Sequence, residues 1–158
     1  MKSRILFIAL SICAFFLIII YISKPNQQAQ EISYSSLEPL SLIIATDLHY
    51  LAPELTDHGS FFEQFIEDGD GKSMKYSNEL VDAFVNQVVE QKPDALILSG
   101  DLTFNGELLS HQALAKKLHR IRENDIPIFV IPGNHDLENP MALTFDGEKY
   151  HSTQNITT

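Results

Sequence analysis

The chain has 158 residues, of which 44% are hydrophobic and 20% are charged, and its formal net charge is −10 at pH 7. This composition is typical of a globular domain and excludes an intrinsically disordered chain. The acidic charge repels phosphate backbones, so we expect no binding to nucleic-acid polymers. The single cysteine, Cys13, excludes an intrachain disulfide.

The N-terminal segment has the pattern of a membrane-targeting sequence. Lys2 and Arg4 precede an almost purely apolar run over residues 5–22, which is just long enough to span a bilayer as one apolar helix. No small residues follow it at the spacing of a cleavage site, so we predict that residues 1–24 are a signal anchor rather than a cleaved signal peptide. The charge bias predicts that the following domain lies on the extracytoplasmic side of the membrane. If the segment is cleaved instead, the domain is secreted. Residues 25–38 are polar and are predicted to be a linker.

Strand and helix patterns alternate through the rest of the chain, residues 39–158, which we predict to be one domain. Three short apolar runs predict buried strands, and two stretches with apolar residues at helical spacing predict helices. In chain order these are the strand Leu40–Thr46, the helix Ser77–Gln91, the strand Ala95–Ser99, the helix Glu107–Asn124 and the strand Ile126–Ile131. We expect Ser77 to cap the first helix. The order predicts an α/β layer with largely parallel strands.

Residues suited to metal binding follow each predicted strand. They are Asp47 and His49 after the first strand, Gly100 and Asp101 after the second, and Gly133, Asn134, His135 and Asp136 after the third. The carboxyl ends of parallel strands meet at one edge of a sheet, so one cleft can collect these side chains. Carboxylate, amide and imidazole groups suit manganese, iron, zinc or magnesium. Each motif alone is also common in turns, and the hypothesis rests on their order directly after strands.

The stretch from Tyr50 to Tyr76 is too long for an ordinary loop between a strand and a helix. It contains Phe61, Phe62 and Phe65. We interpret it as a structural insertion that packs these phenylalanines near the mouth of the site.

The three motifs together resemble the calcineurin-like metallophosphoesterase family over about residues 40–140. The strings Ser99–Thr103 and Ile131–Asp136 are most similar to the branch that includes the class III cyclic-nucleotide phosphodiesterases. The resemblance implies two β-sheets packed face to face between layers of helices, an αββα sandwich. This chain would contain the N-terminal half of that sandwich.

The resemblance also implies a site for two divalent metal ions. Asp47 and His49 would bind the first ion, Asp101 would bridge both, and Asn134 would bind the second. Two metal ions about 3.5–4 Å apart neutralise a phosphoester and lower the pKa of a bound water. The implied activity is therefore hydrolysis of a small phosphoester or nucleotide.

Two further residues are implied to be catalytic. His135 would lie near the oxygen of the leaving group, to which a protonated imidazole can donate a proton. Asp136 would orient that histidine. Ser99 and Thr103 flank the bridging aspartate, and we interpret both as structural because neither lies in a nucleophile-elbow pattern.

The sequence also departs from the family pattern, which continues with a lone histidine and a Gly-His-x-His motif. The histidine that follows His135 is His151, in the polar string Lys149–Ser152. No strand is predicted before it, and we do not assign it as a ligand. We therefore expect the domain of residues 39–158 to be incomplete at its C-terminus and nearly inactive alone. The remaining histidines are expected to be exposed or at interfaces: His58, His111 and His119.

Two other interpretations stay open. One is a membrane-anchored, non-catalytic remnant or binding domain that keeps the phosphoesterase fold. The other is a small membrane protein in which the motifs occur by chance. Within the hydrolase interpretation, the candidate substrates are cyclic nucleotides, other phosphodiesters, phosphomonoesters and pyrophosphate-linked compounds, because loops determine specificity in such sites.

Overall fold

The structure is a computed structural model that describes residues 38–69 and 73–156. The predicted signal anchor, with its apolar helix, and the predicted linker up to residue 37 lie outside the described residues. In the part of the chain that is described, no helix combines the length and the apolar character needed to cross a membrane.

The described elements follow the predicted alternation of strands and helices and add a short helix and a hairpin. In chain order they are β1 Leu42–Ala45, α1 Ser60–Glu67, α2 Ser77–Gln91, β2 Ala95–Ser99, α3 Leu108–Arg122, β3 Ile128–Ile131, β4 Leu143–Asp146 and β5 Lys149–Ser152. The bounds of α2 and β2 are those predicted. The elements β1 and α3 are one or two residues shorter than predicted at each end, and β3 begins two residues later than predicted.

A parallel sheet of three strands forms the centre of the domain, in the order β1-β2-β3. Ile43 pairs with Leu96, and Leu96 pairs with Ile128. The predicted parallel α/β arrangement is therefore confirmed. Since all three strands run in the same direction, their carboxyl ends lie at one edge of the sheet.

The buried core joins β2 to one apolar face of each long helix. Because apolar residues recur every three or four positions along a helix, one side of it can be buried continuously. The side chains of this core include Val81, Val85 and Val88 of α2, Leu96 and Leu98 of β2, and Leu114, Leu118 and Ile121 of α3. At the surface, Lys117 Nζ lies 2.6 Å from Asp82 Oδ1 and joins the two helices.

The prediction that Ser77 caps α2 is wrong. The position before the helix is Tyr76, and the start of the helix has no capping hydrogen bond from a side chain. The Ser77 hydroxyl is buried and instead accepts a hydrogen bond from the Leu51 N–H at 3.4 Å. It therefore attaches the inserted stretch to the helix rather than capping the helix.

The insertion and the C-terminal hairpin form one aromatic cluster. In α1, the rings of Phe62 and Phe65 each lie 5.0 Å from the ring of Phe145 in β4. The antiparallel hairpin β4–β5 places His151 opposite Thr144. The expectation that His151 lies outside any strand is therefore wrong, because the short polar β5 is stabilised by pairing with the buried β4 rather than by an apolar pattern of its own.

One face of the parallel sheet is apolar and exposed in the described part of the chain. Ile44, Ile97 and Phe129 lie side by side across the three strands. Ile44 is 67% exposed and Phe129 is 59% exposed, and Ile131, two positions along β3, is 58% exposed. Successive side chains of a strand point to opposite faces, so these residues share the face opposite the core.

We predict that the two faces of the sheet contribute unequally to stability. Leu98→Ala, which truncates a fully buried side chain, should lower the free energy of unfolding by about 2–5 kcal/mol. Ile44→Ala should lower it by about 0.5 kcal/mol or less, as for other surface positions. Urea unfolding of the two variants measures both changes. A cost for Ile44→Ala close to that for Leu98→Ala would show that this face is covered in solution.

Candidate metal centre

The chain segments that follow β1 and β2 continue side by side beyond the sheet. The N–H of Asp47 donates to the Gly100 carbonyl at 3.1 Å, and the N–H of His49 donates to the Asp101 carbonyl at 3.0 Å. These bonds extend the parallel pairing into the two loops. They bring residues that are more than fifty positions apart in the chain to the same edge of the sheet.

This pairing groups three of the four predicted metal ligands. Asp47, His49 and Asp101 each offer one ligand atom, and these atoms all lie within 4.8 Å of one another. His49 Nε2 is 3.7 Å from Asp47 Oδ1. Two carboxylates and an imidazole form a donor set that suits a divalent manganese, iron, zinc or magnesium ion. The described residues therefore fit a metal ion at this position.

The backbone of all three residues is left-handed. Their φ angles are 56° for Asp47, 42° for His49 and 49° for Asp101. Residues other than glycine adopt this region at a cost of order 1 kcal/mol each, and such residues cluster at functional sites. Among the described residues four others share it, in turns and loops: His58, Lys92, Asp125 and Glu138. The unusual conformation lets Asp47 and His49, two positions apart, direct their side chains to one point.

Two glycines permit the close approach of the loops after β2 and β3. Gly100 has a φ of 84°, a conformation that favours glycine and lets the chain turn sharply there. Gly133 is needed for a different reason, because a Cβ at this position would lie 2.2 Å from Asp101 Oδ1 and 2.4 Å from Asp101 N. Only glycine allows the third loop to pack against the Asp101 carboxylate.

The remaining predicted residues lie on this third loop. The N–H of His135 donates to Asp101 Oδ1 at 3.1 Å, and the His135 ring lies edge-on to the His49 ring with 4.9 Å between centroids. Asn134 is exposed and lies between Gly133 and His135, both of which contact Asp101. The structure thus brings His135 to the three candidate ligands and places the backbone of Asn134 beside them.

The protonation of the His135 ring follows from its hydrogen bonds. Nδ1 lies 2.6 Å from the Phe104 carbonyl oxygen and 3.0 Å from Asn105 Oδ1. Asn139 Nδ2 donates to the same Asn105 oxygen, so both neighbours of Nδ1 are acceptors. Nδ1 therefore carries a hydrogen, and Nε2 is the atom that can gain or release a proton.

Asp136 is buried and joins two loops. Its Oδ1 accepts hydrogen bonds from the N–H groups of Leu102 and Thr103, each at 2.9 Å, and from the Thr103 hydroxyl at 3.0 Å. Its Oδ2 accepts from the Gly133 N–H at 2.7 Å. Burial raises the pKa of the Asp136 carboxyl, but these hydrogen bonds outweigh burial and hold the pKa below its ordinary value.

The role expected for Asp136, to orient His135, stays a prediction. The hydrogen bonds described for the Asp136 carboxylate go to Gly133 and to the loop after β2, whereas Phe104 and Asn105 hold the His135 ring. The Asp136 carboxylate is directed into the loops, so it can act on His135 through the loop that carries both residues. The contacts of Thr103 agree with its interpretation as structural.

Sequence reasoning missed three residues that support the site. His111 was expected to be exposed or at an interface, but its Nε2 donates to the Asp136 carbonyl at 2.9 Å. Asn105 is buried against His135, and the buried Glu107 accepts the Asn105 N–H at 3.1 Å. The string Asn105-Gly106-Glu107, directly after the second motif, is the sequence feature that could have indicated these supporting residues. His58 and His119 are exposed as expected.

A cavity of about 530 Å³ adjoins His135. Its walls come from α1, from Phe104 and Asn105, and from Met141 before β4. Phe61 and Phe65 of the insertion therefore line the cavity beside His135, as expected, whereas Phe62 is buried in the core against Phe145. The cavity size falls within the range of small-molecule sites.

Comparison with known proteins agrees with this geometry. The sequence model of the calcineurin-like phosphoesterase family matches residues 40–157. The chain belongs to this family. The recognition made from the motifs after the three strands is thereby confirmed.

Three curated relatives are each named a probable cyclic nucleotide phosphodiesterase. The protein from Ruthia magnifica subsp. Calyptogena magnifica is 38% identical over 61 residues, which cover 39% of this chain and 25% of the relative. The protein from Vesicomyosocius okutanii subsp. Calyptogena okutanii is 42% identical over 52 residues, covering 33% and 21%. The protein from a Pseudoalteromonas species is 36% identical over 64 residues, covering 40% and 24%. The matched part thus spans about a quarter of each relative's length.

Metal binding should depend on the Asp101 carboxylate. Asp101→Asn tolerates the left-handed backbone, so the fold should be kept while the charge is lost. We expect the affinity of the full chain for Mn²⁺ to fall at least about tenfold, as measured by titration calorimetry. Asp94→Asn is the matched control, because Asp94 lies before β2 at the opposite edge of the sheet and accepts the Ser41 N–H. Equal affinities for the two variants would contradict the assignment.

Glu107 should make stability depend on pH. Burial raises its pKa in the folded chain, against the effect of hydrogen bonds from the N–H groups of Asn105 and of Glu107 itself. A carboxyl whose pKa is raised by folding favours the folded state most below its unfolded pKa, and this contribution is lost as pH rises through the folded pKa. The wild type should therefore lose stability relative to Glu107→Gln as pH rises from 4 to 8. Urea unfolding at several pH values tests this, and a difference that grows in favour of the wild type would contradict it.

Proposed function

We propose that this chain carries the metal-binding part of a phosphoester hydrolase that acts on a small phosphoester or nucleotide. The observation that carries the proposal is the grouping of Asp47, His49 and Asp101 within 4.8 Å of one another, with His135 against both His49 and Asp101. Family membership supports hydrolysis of a phosphoester bond. The names of the relatives support a cyclic nucleotide or similar phosphodiester as substrate.

We propose a centre for two divalent ions, with Asp47 and His49 on one, Asp101 between both, and Asn134 on the other. When bound, such ions neutralise the phosphoester and activate water for attack. A carboxylate offers about four lone-pair positions. Asp101 can therefore accept the His135 N–H and still bind metal. Its left-handed backbone and the glycine at position 133 keep this carboxylate at the junction of the three loops.

His135 then provides the proton for the leaving group. Its Nδ1–H donates to the Phe104 carbonyl and to Asn105, which fixes the ring and leaves Nε2 as the reacting atom. The imidazolium form can donate the Nε2 proton to the departing oxygen. In this proposal Asp136 positions the loop that carries His135, while Phe104 and Asn105 orient its ring.

We also propose that the parallel sheet is one layer of the two-sheet αββα sandwich. The exposed apolar face that carries Ile44, Ile97 and Phe129 supports this proposal, because such a face is stable when another layer covers it. A second sheet packed there would bury it.

We also propose that the domain lies on the extracytoplasmic side of the membrane, with residues 5–22 as the membrane anchor. If the segment is cleaved instead, the domain is secreted.

The described residues group three candidate ligands, Asp47, His49 and Asp101, whereas the family resemblance implies Asn134 and further histidines. We therefore expect the 158-residue chain alone to hydrolyse phosphoesters at or near the background rate. Binding of phosphate is then the more sensitive test of the proposed function.

The full chain, purified in mild detergent, should bind orthophosphate in the presence of Mn²⁺ and not in its absence. Asp101→Asn should abolish this binding, and Asp94→Asn should leave it unchanged, because the anion is held through the metal ions. Titration calorimetry measures the binding, and release of p-nitrophenolate from bis-p-nitrophenyl phosphate measures turnover.

The outcomes separate the interpretations. Mn²⁺ binding without metal-dependent phosphate binding would favour the non-catalytic remnant over the hydrolase. Turnover above background that is lost in Asp101→Asn would support the hydrolase and overturn the expectation that the chain alone is nearly inactive.

A further inference from the structure

A cavity of about 530 Å³ lies beside His135, next to the proposed metal centre, and its walls are mainly apolar. The residues of α1 that line it are Phe61, Gln64, Phe65 and Ile66, and the opposite side includes Phe104 and Met141. Three aromatic rings in one recess provide flat surfaces for a flat ligand. Base–aromatic stacking is a common use of such a surface.

The cavity is continuous with the catalytic side of the site. The Phe104 carbonyl oxygen lies 2.6 Å from His135 Nδ1. The centroid of the Phe104 ring lies 6.4 Å from that of the Phe65 ring in α1. His135 itself lines the cavity. In the proposed function His135 protonates the leaving group, so the part of the substrate attached to that oxygen lies next to this recess.

The charges of the cavity favour a neutral occupant over a phosphate. Among the described residues that line it there is no lysine or arginine, and Asp68 adds a carboxylate, whereas His135 lies at the end next to the metal centre. Away from that end an anion is unfavourable. We therefore assign this recess to a neutral part of the substrate.

The polar groups of the cavity favour an aromatic ring that also forms hydrogen bonds. Gln64 is exposed on α1 and offers an amide donor and acceptor, and Asp68 offers an acceptor. A nucleobase has two flat faces and an edge of donors and acceptors, which match the rings and these two side chains. An alkyl chain would use the apolar surface alone.

We propose that this cavity binds the nucleobase of a nucleotide substrate, with Phe61, Phe65 and Phe104 against its faces and Gln64 at its edge. The inserted helix α1 is then the element that determines specificity, since four of its residues line the recess. This inference rests on the proposed function, because it takes the phosphate to lie at the metal centre.

The position of α1 is fixed by the hairpin rather than by the sheet. The centroid of the Phe65 ring lies 5.0 Å from that of Phe145 and 6.0 Å from that of Tyr150. The centroid of the Phe61 ring lies 6.2 Å from that of Tyr150. A helix of eight residues is too short to be stable alone. The aromatic contacts with the hairpin therefore hold this wall of the cavity in place.

The experiment uses the full chain with Mn²⁺ and three phosphate ligands: orthophosphate, adenosine 5′-monophosphate and hexyl phosphate. We expect the nucleotide to bind about tenfold or more tightly than orthophosphate, and hexyl phosphate to show no such gain. Phe65→Leu keeps an apolar side chain in the aromatic cluster but removes the ring. It should weaken nucleotide binding about fivefold or more and leave orthophosphate binding unchanged.

Two more variants protect the test against misfolding. Gln64→Ala changes an exposed side chain and should weaken nucleotide binding by a smaller factor without disturbing the fold. Glu67→Gln is the control, because Glu67 is exposed on the same helix but does not line the cavity. It should leave the binding of all three ligands unchanged.

The outcomes distinguish this inference from the proposed function. Equal gains for hexyl phosphate and the nucleotide would overturn the nucleobase assignment, and so would equal weakening of nucleotide and orthophosphate binding in Phe65→Leu. If orthophosphate fails to bind, the proposed function fails. The cavity is then tested with adenosine alone by saturation-transfer NMR, where binding that is lost in Phe65→Leu supports the site and no binding refutes it.

Discussion

The Asp136 carboxylate joins the two loops on which the site depends. It is fully buried and accepts four hydrogen bonds, three from Leu102 and Thr103 after β2 and one from Gly133 after β3. A buried carboxylate without such bonds is strongly unfavourable, so the chain keeps this group only where all the donors converge. Their convergence presses Gly133 against Asp101, which leaves no room for a Cβ.

From this junction, hydrogen bonds extend outward to the groups that would do chemistry. His111 donates to the Asp136 carbonyl. Gly106 packs so closely against this carbonyl that a Cβ added at position 106 would lie 3.0 Å from the same oxygen. Asn105 then holds His135, and Glu107 holds the backbone of Asn105. Because these contacts all involve the loop after β2, a change in that loop should affect both the candidate ligands and the wall of the cavity.

The sequence predicted the elements whose pattern is periodic and the residues that follow them directly. The helix from Ser77 to Gln91 has apolar residues at regular spacing, and Asp47 and Asp101 follow apolar strands, so local reasoning was sufficient. It failed at His111 and at the strand that contains His151, because their positions depend on partners far away in the chain. His111 contacts a carbonyl 25 positions away, and β5 is stabilised by β4 rather than by its own polar sequence.

The candidate metal ligands lie on backbones that the loops hold together. Asp47, His49 and Asp101 have left-handed backbones, and hydrogen bonds join the loops after β1 and β2. Bringing two carboxylates together in a chain of net charge −10 adds repulsion. A divalent ion would convert that repulsion into attraction, so metal binding should stabilise the folded domain by mass action.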